Sequence, residues 1–300
     1  MPTGIVIHPA AAAANAVDDV ITQARTAYEL GIRQIWLAQR VDLDAIGLAA
    51  VVGAAVPGLG VGTSVVPINP RHPLLIASAA QTAQAATHGA FSLGLGLGSH
   101  EPERLAFGTT WSNPVARLRE HLTVLRSIFD TGTVDFHGEF IGAAPEWPVS
   151  VPGGTPVPVY VAAMGEKALG VTGELADGTL PYLAGPRTIA EFIGPTIARA
   201  ASAAGRQAPR IIAVVPVLVT DDRDAAYAEV AAELAFYETI PSYQRVIARE
   251  NLDSAAGSVN AVHRQLRRYV DSGATDVVVT PIGRTDAAAL TELREVAASF

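Results

Sequence analysis

The chain has 300 residues, of which 49% are hydrophobic and 17% are charged, so it can bury a large core and is not expected to be disordered. It contains no cysteine, which excludes disulfides, thiolate catalysis and zinc–thiolate or iron–sulfur sites. The formal net charge of −8 argues against a nucleic-acid partner, because no basic excess is available to displace counterions. The N-terminus MPTGIVIHP has neither a basic region nor a long apolar run, so a cytoplasmic protein without a membrane partner is predicted.

Predicted strands and helices alternate along the chain. In order they are strand 4–8, helix 16–31, strand 33–39, helix 42–56, strand 59–66, helix 72–89, strand 90–98, helix 114–132, strand 157–164, helix 166–178, strand 179–184, helix 187–205, strand 210–220, a helix from 221 to about 240, helix 258–273, strand 275–282 and helix 286–299. The strands are apolar and rich in β-branched residues, which is typical of parallel strands buried on both faces.

The alternation is interrupted once, before the fifth strand. Residues 134–154 show period-two alternation around His137-Gly138 and then a loop rich in Pro and Gly, which predicts a small hairpin in an insertion of about 133–156. Eight strand–helix units without a break in composition predict one (β/α)8 TIM-barrel domain over residues 1–300. The alternative is a doubly wound open sheet, which would have fewer strands and a dinucleotide-binding fingerprint.

A barrel of this kind carries its site at the carboxyl ends of the strands. These ends are His8, Gln39-Arg40, Ser64-Val65-Val66, Gly98-Ser99-His100, Ala163-Met164-Gly165, Pro181-Tyr182, Val219-Thr220 and Thr280-Pro281. The set has no paired acids for glycoside hydrolysis and no three-ligand cluster, so no metal site is predicted. A mouth of small and apolar residues favours a large, flat cofactor that brings its own chemistry.

Two junctions in this set contain informative glycines. In GLGLGSHE (94–101), Ser99 and Glu101 stand where a dinucleotide fingerprint needs glycine, so Gly96 and Gly98 indicate either close approach of a ligand or a bulge at the barrel rim. In VYVAAMGEKAL (159–169) a strand passes directly into a helix, and the amides of Gly165 to Lys167 would point into the mouth and bind phosphate. An ordinary short connection is the alternative there.

Several segments together resemble the luciferase-like flavin and deazaflavin oxidoreductases. They are WLAQ (36–39), GTSVVP (62–67), PRHPLLIA (70–77), VDFHGEF (134–140), AAMG (162–165) and GELADGT (173–179). Their order and spacing match over essentially the whole chain. Within that superfamily the chain is most similar to the actinobacterial branch that uses coenzyme F420, an 8-hydroxy-5-deazaflavin.

The resemblance implies a cofactor site and its support. The peptide bond Ser64–Val65 corresponds to a non-proline cis bond, which forms a bulge against the central deazaflavin ring. The residues expected to contact the cofactor are Gln39, Ser64, Val65, Gly96, Gly98, Ser99, Ala163, Met164, Gly165, Glu166 and Lys167.

The sequence also departs from the family's dehydrogenases. Sugar-phosphate and alcohol dehydrogenases resemble one another in an acidic residue and a His after the second strand, where this chain has Gln39 and Arg40. A glutamate in the fourth-strand loop of the sugar-phosphate enzymes corresponds to about Ser99. The usual base is therefore missing, which favours reduction of the substrate, and His8 and His100 remain as the groups that can transfer a proton near neutral pH.

The leading hypothesis is an F420-dependent oxidoreductase that moves a hydride between deazaflavin C5 and a small organic substrate. An FMN-dependent monooxygenase of the same fold and a non-catalytic barrel that binds flavin or deazaflavin are the alternatives. A homodimer is expected, with the apolar second and third helices as its interface. Four aromatic residues have two open interpretations, as the lining of a substrate pocket or as core: Tyr182, Phe236, Tyr237 and Tyr243.

Overall fold

Helices and strands follow the predicted alternation. The computed structural model describes residues 3–98, 101–109, 112–222, 230–231, 234–235, 237, 240, 243–244, 255–283 and 286–300. The strands are β1 (Thr3–Ile7), β2 (Gln34–Leu37), β3 (Gly60–Thr63), β4 (Val66–Pro67), β5 (Phe91–Gly96), β6 (Phe136–His137), β7 (Gly142–Ala143), β8 (Val159–Val161), β9 (Gly178–Thr179), β10 (Arg210–Val219), β11 (Ala255–Gly257) and β12 (Asp276–Pro281). The helices are α1 (Ala16–Glu29), α2 (Ala45–Ala55), α3 (Pro73–Ala86), α4 (Glu101–Phe107), α5 (Pro114–Thr131), α6 (Glu166–Leu175), α7 (Pro186–Thr188), α8 (Gly194–Ala203), α9 (Val259–Asp271) and α10 (Ala287–Ser299), and a π-helical stretch (Ile189–Ile193) joins α7 to α8.

Eight of the strands close into a cylinder. Around the ring the order is β1, β2, β3, β5, β8, β9, β10 and β12, and β12 pairs again with β1. All of these pairings are parallel, and the helices between the strands pack outside the ring. The predicted (β/α)8 TIM barrel is confirmed, because an open doubly wound sheet would end in two unpaired edges.

The strands differ from the predicted ones at their carboxyl ends. The strand predicted at 59–66 is divided into β3 and β4, and β4 pairs with β5 beyond the division. The strand predicted at 179–184 is reduced to β9, followed by a single bridge between Tyr182 and Val214. Apolar residues continue past the regular ladder at both places, where Val66 pairs with Leu95 of β5 and Tyr182 with Val214 of β10.

The remaining comparison with the predicted elements concerns the insertion, two short elements and one helix. The antiparallel pair of β6 and β7 confirms the hairpin in the insertion. Helix α4 and strand β11 were not predicted, since seven and three residues are too few for a periodic pattern to be recognised. The helix predicted from 221 to about 240 lies largely outside the described residues.

The interior of the barrel is a packed apolar layer. It consists of Val6, Trp36, Tyr160, Leu180, Ile212, Val214 and Val278. Trp36 fits because its neighbour in the register is Gly62, where a Cβ atom would lie 2.4 Å from Cε3 of the indole. The rings of Trp36 and Tyr160 meet edge to face at 6.2 Å between centroids.

A hydrogen-bonded cluster of charged and polar side chains lies at the amino-terminal end of the barrel. Arg210 pairs with the buried carboxylate of Asp276 through two hydrogen bonds of 2.5 and 3.1 Å, and it donates a third to the Tyr160 hydroxyl at 2.9 Å. Thr275 donates to the same carboxylate at 2.7 Å. These bonds link the starts of β10 and β12 to Tyr160 of β8 at the end of the barrel opposite the expected site.

Neither a membrane-spanning helix nor a metal-binding cluster occurs within the described ranges. No described helix is long and apolar enough to cross a membrane. No group of three or more His, Asp or Glu side chains within those ranges is arranged to hold a metal ion.

Candidate cofactor and substrate site

A bulge follows β3 at the mouth of the barrel. The Ser64–Val65 peptide bond is cis, as the resemblance predicted. Its backbone is held on one side by the Ser64 amide, which donates to the Leu37 carbonyl at 2.8 Å. The Val65 side chain is partly buried and packs on the apolar layer inside the barrel.

Gly96, at the end of β5, lies directly against Val65. A Cβ atom at Gly96 would lie 2.7 Å from Cγ2 of Val65, closer than carbon atoms approach without a shift. Two residues later Gly98 has a φ of +63° and packs under Pro67 and Asn69, which places it in the turn that supports β4. The absence of a side chain at Gly96 therefore allows Val65 to lie on β5 and extend over the interior layer.

The start of α6 is open. Gly165 is the N-cap of this helix, and no side chain accepts a hydrogen bond from the first-turn amides. The first intrahelical bond runs from Leu169 to the Gly165 carbonyl at 2.9 Å, so the amides of the three residues before Leu169 have no acceptor within the helix. A Cβ atom at Gly165 would meet nothing within 4 Å, which leaves space in front of the helix.

Gln39, the predicted contact after β2, is engaged inside its own loop. Its side-chain nitrogen donates to the carbonyls of Arg40 (2.6 Å) and Leu43 (3.1 Å). Its side-chain oxygen accepts from the Ala45 amide at 3.0 Å and from Arg71 at 3.2 Å. A ligand contact by this side chain would require at least one of these bonds to be broken, since both donors and both acceptor positions are used.

His8, which follows β1, is the described histidine at the mouth. Desolvation by the surrounding protein lowers the pKa of its imidazole below 6.5, and the charge of Arg40 adds to the lowering. Its backbone carbonyl accepts a hydrogen bond from Gln23 at 2.8 Å. The imidazole is therefore mainly neutral at pH 7.

The remaining residues predicted to contact the cofactor differ in their burial. Met164 is partly buried, and Glu166 and Lys167 are exposed beside the start of α6. Ala163 is buried in the main core, so only its backbone can border the mouth. Ser99 and His100 lie outside the described residues.

An aromatic cluster was not assigned to the site from the sequence. Tyr182, Tyr237 and Tyr243 meet edge to face, with centroid separations of 5.3, 6.3 and 4.9 Å. Tyr182 also packs on the interior layer of the barrel. The sequence left both a pocket lining and a core position open for these tyrosines, and nothing in it showed that the rings would meet.

The order of the strands gives these features a common geometry. In a ring of eight strands, β3 is four positions from β10, and β1 is four positions from β8. Val65 after β3 therefore lies across the mouth from β10, and His8 after β1 lies across from the open start of α6. Four features therefore surround the mouth. They are Val65, the amides at the start of α6, the tyrosine cluster and the His8 imidazole.

These residues fit a flat cofactor with an anionic arm. The Val65 side chain, which lies against Gly96 and on the interior layer, supplies apolar support for one face of a ring. We call this side chain the Val65 ledge. The uncapped amides after Gly165, with open space before them, can bind phosphate through hydrogen bonds and the helix dipole. Among the described residues the mouth contributes few titratable groups, so it suits a ligand that brings its own chemistry.

Sequence comparison gives the family. The family model described as luciferase-like monooxygenase matches residues 1–297, and the chain belongs to this family. A protein of unassigned function from Mycobacterium tuberculosis is 30% identical over 202 residues, which are 63% of this chain and 59% of that protein. The matched region therefore spans less than two thirds of that relative. A putative coenzyme F420-dependent oxidoreductase from the same organism is 28% identical over 227 residues, which are 70% of this chain and 65% of that protein.

Solved structures show the same fold. The coenzyme F420-dependent tetrahydromethanopterin reductase of Methanopyrus kandleri superposes with a TM-score of 0.76 at 19% identity, over 99% of this chain and 97% of that chain. The oxygenating constituent of 3,6-diketocamphane monooxygenase from Pseudomonas putida, in complex with FMN, has a TM-score of 0.77 at 16% identity, over 99% of this chain and 96% of that chain. At these identities the likeness concerns the fold. The family includes F420-dependent and FMN-dependent members.

Proposed function

We propose that the chain is an F420-dependent oxidoreductase, which transfers a hydride between C5 of the deazaflavin and a small organic substrate in the reductive direction. The observation that carries the proposal is the pairing of the Val65 ledge with the open start of α6 on one barrel mouth. This combination suits a tricyclic ring attached to a phosphate arm. The name of the mycobacterial relative supports F420 as the cofactor.

Cofactor binding and proton transfer are assigned to different residues. Val65 supports the ring, and the amides after Gly165 hold the phosphate. When bound, the reduced deazaflavin supplies a hydride, which carries two electrons. The substrate carbon accepts that hydride, and His8 or His100 donates the proton that completes the reduction.

The loop after β2 supports the reductive direction. Gln39 and Arg40 occupy the positions of the acid and histidine in the related dehydrogenases, and Gln39 is fully hydrogen-bonded within the loop. Arg40 forms a bidentate pair with Asp42 at 2.8 Å for each bond. Neither side chain is a base that could accept a proton from an alcohol near neutral pH.

Titration with the two cofactors tests the proposal. Trp36 lies in the layer beneath the mouth, so a bound ring should quench tryptophan fluorescence. We expect saturable quenching with F420 at concentrations where FMN gives none. Quenching by FMN alone would overturn the proposal in favour of the monooxygenase alternative, which the fold match to an FMN complex supports. A protein that binds F420 tightly yet transfers no hydride to any acceptor would be a storage or sensing barrel.

We also propose a homodimer formed by the outer faces of α2 and α3. Neither helix contains a charged residue. Val51 on α2 is 47% exposed and Leu75 on α3 is 70% exposed, which leaves apolar side chains on a surface without charges. Two copies of this face would cover each other's apolar groups.

A further inference from the structure

Three tyrosines form one aromatic surface on the β10 side of the mouth. Tyr182, Tyr237 and Tyr243 contact one another edge to face, with interplanar angles of 67°, 82° and 65°. All three are half-buried and pack against apolar residues. We call these three residues the tyrosine wall.

The wall is fixed by strands that end at the mouth. Tyr182 follows β9, bridges to Val214 of β10 and packs on the interior layer. Leu183 has a φ of +58°, a left-handed conformation that a leucine adopts only where its surroundings hold it. The chain therefore turns sharply after Tyr182, and Leu183 is directed into the cluster behind the wall.

The residues behind the wall are apolar. They are Leu183, Leu218, Val230, Leu234 and Ile282, and all five are buried. They come from the ends of β9, β10 and β12 and from the segment after β10. Among the described residues of this cluster and the wall, none carries a formal charge, and the tyrosine hydroxyls are their only polar side-chain groups.

The wall faces the cofactor support. Strand β10 is opposite β3 in the ring, and both Tyr182 and Val65 pack on the same interior layer. The space above that layer is therefore bounded by the Val65 ledge on one side and by tyrosine rings on the other. A cofactor ring resting on Val65 would leave its free face toward the wall.

We propose that the tyrosine wall binds the substrate and selects uncharged, planar, conjugated carbonyl compounds, an inference that rests on the proposed function for the reaction itself. Flat unsaturated molecules contact edge-to-face rings favourably, and the apolar backing gives no compensation for a buried charge. Such compounds are also hydride acceptors. A hydride adds to the electrophilic carbon, a proton from His8 or His100 adds to the oxygen or the neighbouring carbon, and the reduced deazaflavin is oxidised by two electrons.

Binding to the cofactor-free protein tests the wall separately from the reaction. The probes are 1,4-naphthoquinone and its 2-sulfonate, which are similar in ring structure and differ by one charge. Quinones commonly alkylate thiols, but this chain contains no cysteine, so a binding signal by calorimetry is not obscured. We expect the sulfonate to bind at least about tenfold more weakly than the neutral quinone.

Substitutions in the wall provide the second arm. Tyr237→Leu and Tyr243→Leu keep apolar volume and remove the ring, and each should weaken naphthoquinone binding about fivefold. Tyr28→Leu is the matched control, because Tyr28 lies on α1 beneath Arg33 and away from the mouth. Circular dichroism and F420 titration of each variant check that the fold and the cofactor site are retained.

The outcomes separate the two proposals. Equal affinity for the two probes, or unchanged quinone affinity in both wall variants, would overturn the substrate inference even if F420 binds. Failure of F420 to bind, with the predicted pattern of quinone affinities, would overturn the proposed function and leave the aromatic pocket in place.

Discussion

The Cγ2 atom of Val65 lies 2.7 Å from the point where a Cβ atom would stand on Gly96. Val65 lies between β3 and β4, which both pair with β5, and it uses the space that a side chain on β5 would fill. This contact joins the bulge after β3 to the floor of the mouth. It accounts for glycine at this position, independently of any ligand.

Replacing Gly96 by Ala should displace Val65 and reduce cofactor affinity about five- to tenfold, with a loss of about 1–3 kcal/mol in the free energy of unfolding. Fluorescence titration and urea unfolding measure the two effects. The double variant Gly96→Ala/Val65→Ala should recover part of the loss in stability, because it removes the clash, but not the loss in affinity, because it also removes the support of the ring. Gly170→Ala is the control: its Cβ would meet nothing within 4 Å, and it should be neutral or stabilising by up to about 1 kcal/mol. Additive losses in the double variant would contradict the contact.

Gly165→Val should weaken cofactor binding by well over tenfold, or about 1.4 kcal/mol and more. The side chain would occupy the open space before α6, where the phosphate is proposed to bind the amides. Folding should be little affected, since the φ of −98° is accessible to valine. Gly142→Val provides the same change at another open position, in the hairpin. Equal cofactor affinity in the two variants would show that the phosphate does not bind at the start of α6.

The substitutions His8→Asn and His100→Asn should each lower turnover and leave cofactor affinity nearly intact. Protein surroundings and the charge of Arg40 lower the pKa of His8, so its protonated form is scarce at neutral pH. If His8 donates the proton, reduction should become faster as the pH falls below 6.5, and His8→Asn should flatten that rise. A profile between pH 5 and 8 that is the same in wild type and both variants would exclude the two histidines from proton transfer.

His121 on α5 should make the protein sensitive to acid. Burial lowers the pKa of its imidazole to about 3, with a further contribution from His72, and Nε2 has no hydrogen-bond partner in the described part of the chain. The folded-state pKa lies below the unfolded value, so the unfolded chain binds more protons and stability falls as the pH drops from 6.5 toward 3. Between pH 6.5 and 5 this amounts to a loss of about 2 kcal/mol.

Replacing His121 by Leu should remove that part of the acid dependence, measured by urea unfolding at the two pH values. His137→Asn is the comparison, because His137 is exposed in the hairpin. An unchanged pH dependence in His121→Leu would show that another group carries the effect.

Leu75→Glu should convert the proposed dimer to a monomer, because association through α3 would bury the new charge against an apolar face. Sedimentation velocity measures the change. Trp147→Glu alters a side chain of similar exposure, 79% against 70%, on the insertion loop, and should leave the dimer intact. A monomeric wild type, or a dimer that survives Leu75→Glu, would refute the interface.

The sequence by itself determined the local features of this protein. Eight apolar strands alternating with helices predicted the barrel, since hydrophobic period and glycine or proline punctuation are local properties. The direct passage from strand to helix at Gly165 predicted an open helix start for the same reason. The bulge at Ser64–Val65 was reached through family resemblance, because the residues alone favour a trans bond.

Only the tertiary structure decided which of these features face one another. Closure of the ring sets β3 opposite β10 and β1 opposite β8, so that Val65, the tyrosine wall, His8 and Gly165 surround one space. The contact of Gln39 with Arg71 and that of Ala163 with Thr179 were also hidden, because folding brings these residues close. Contacts between residues far apart in the chain follow from how strands are ordered and packed, which a local pattern does not record.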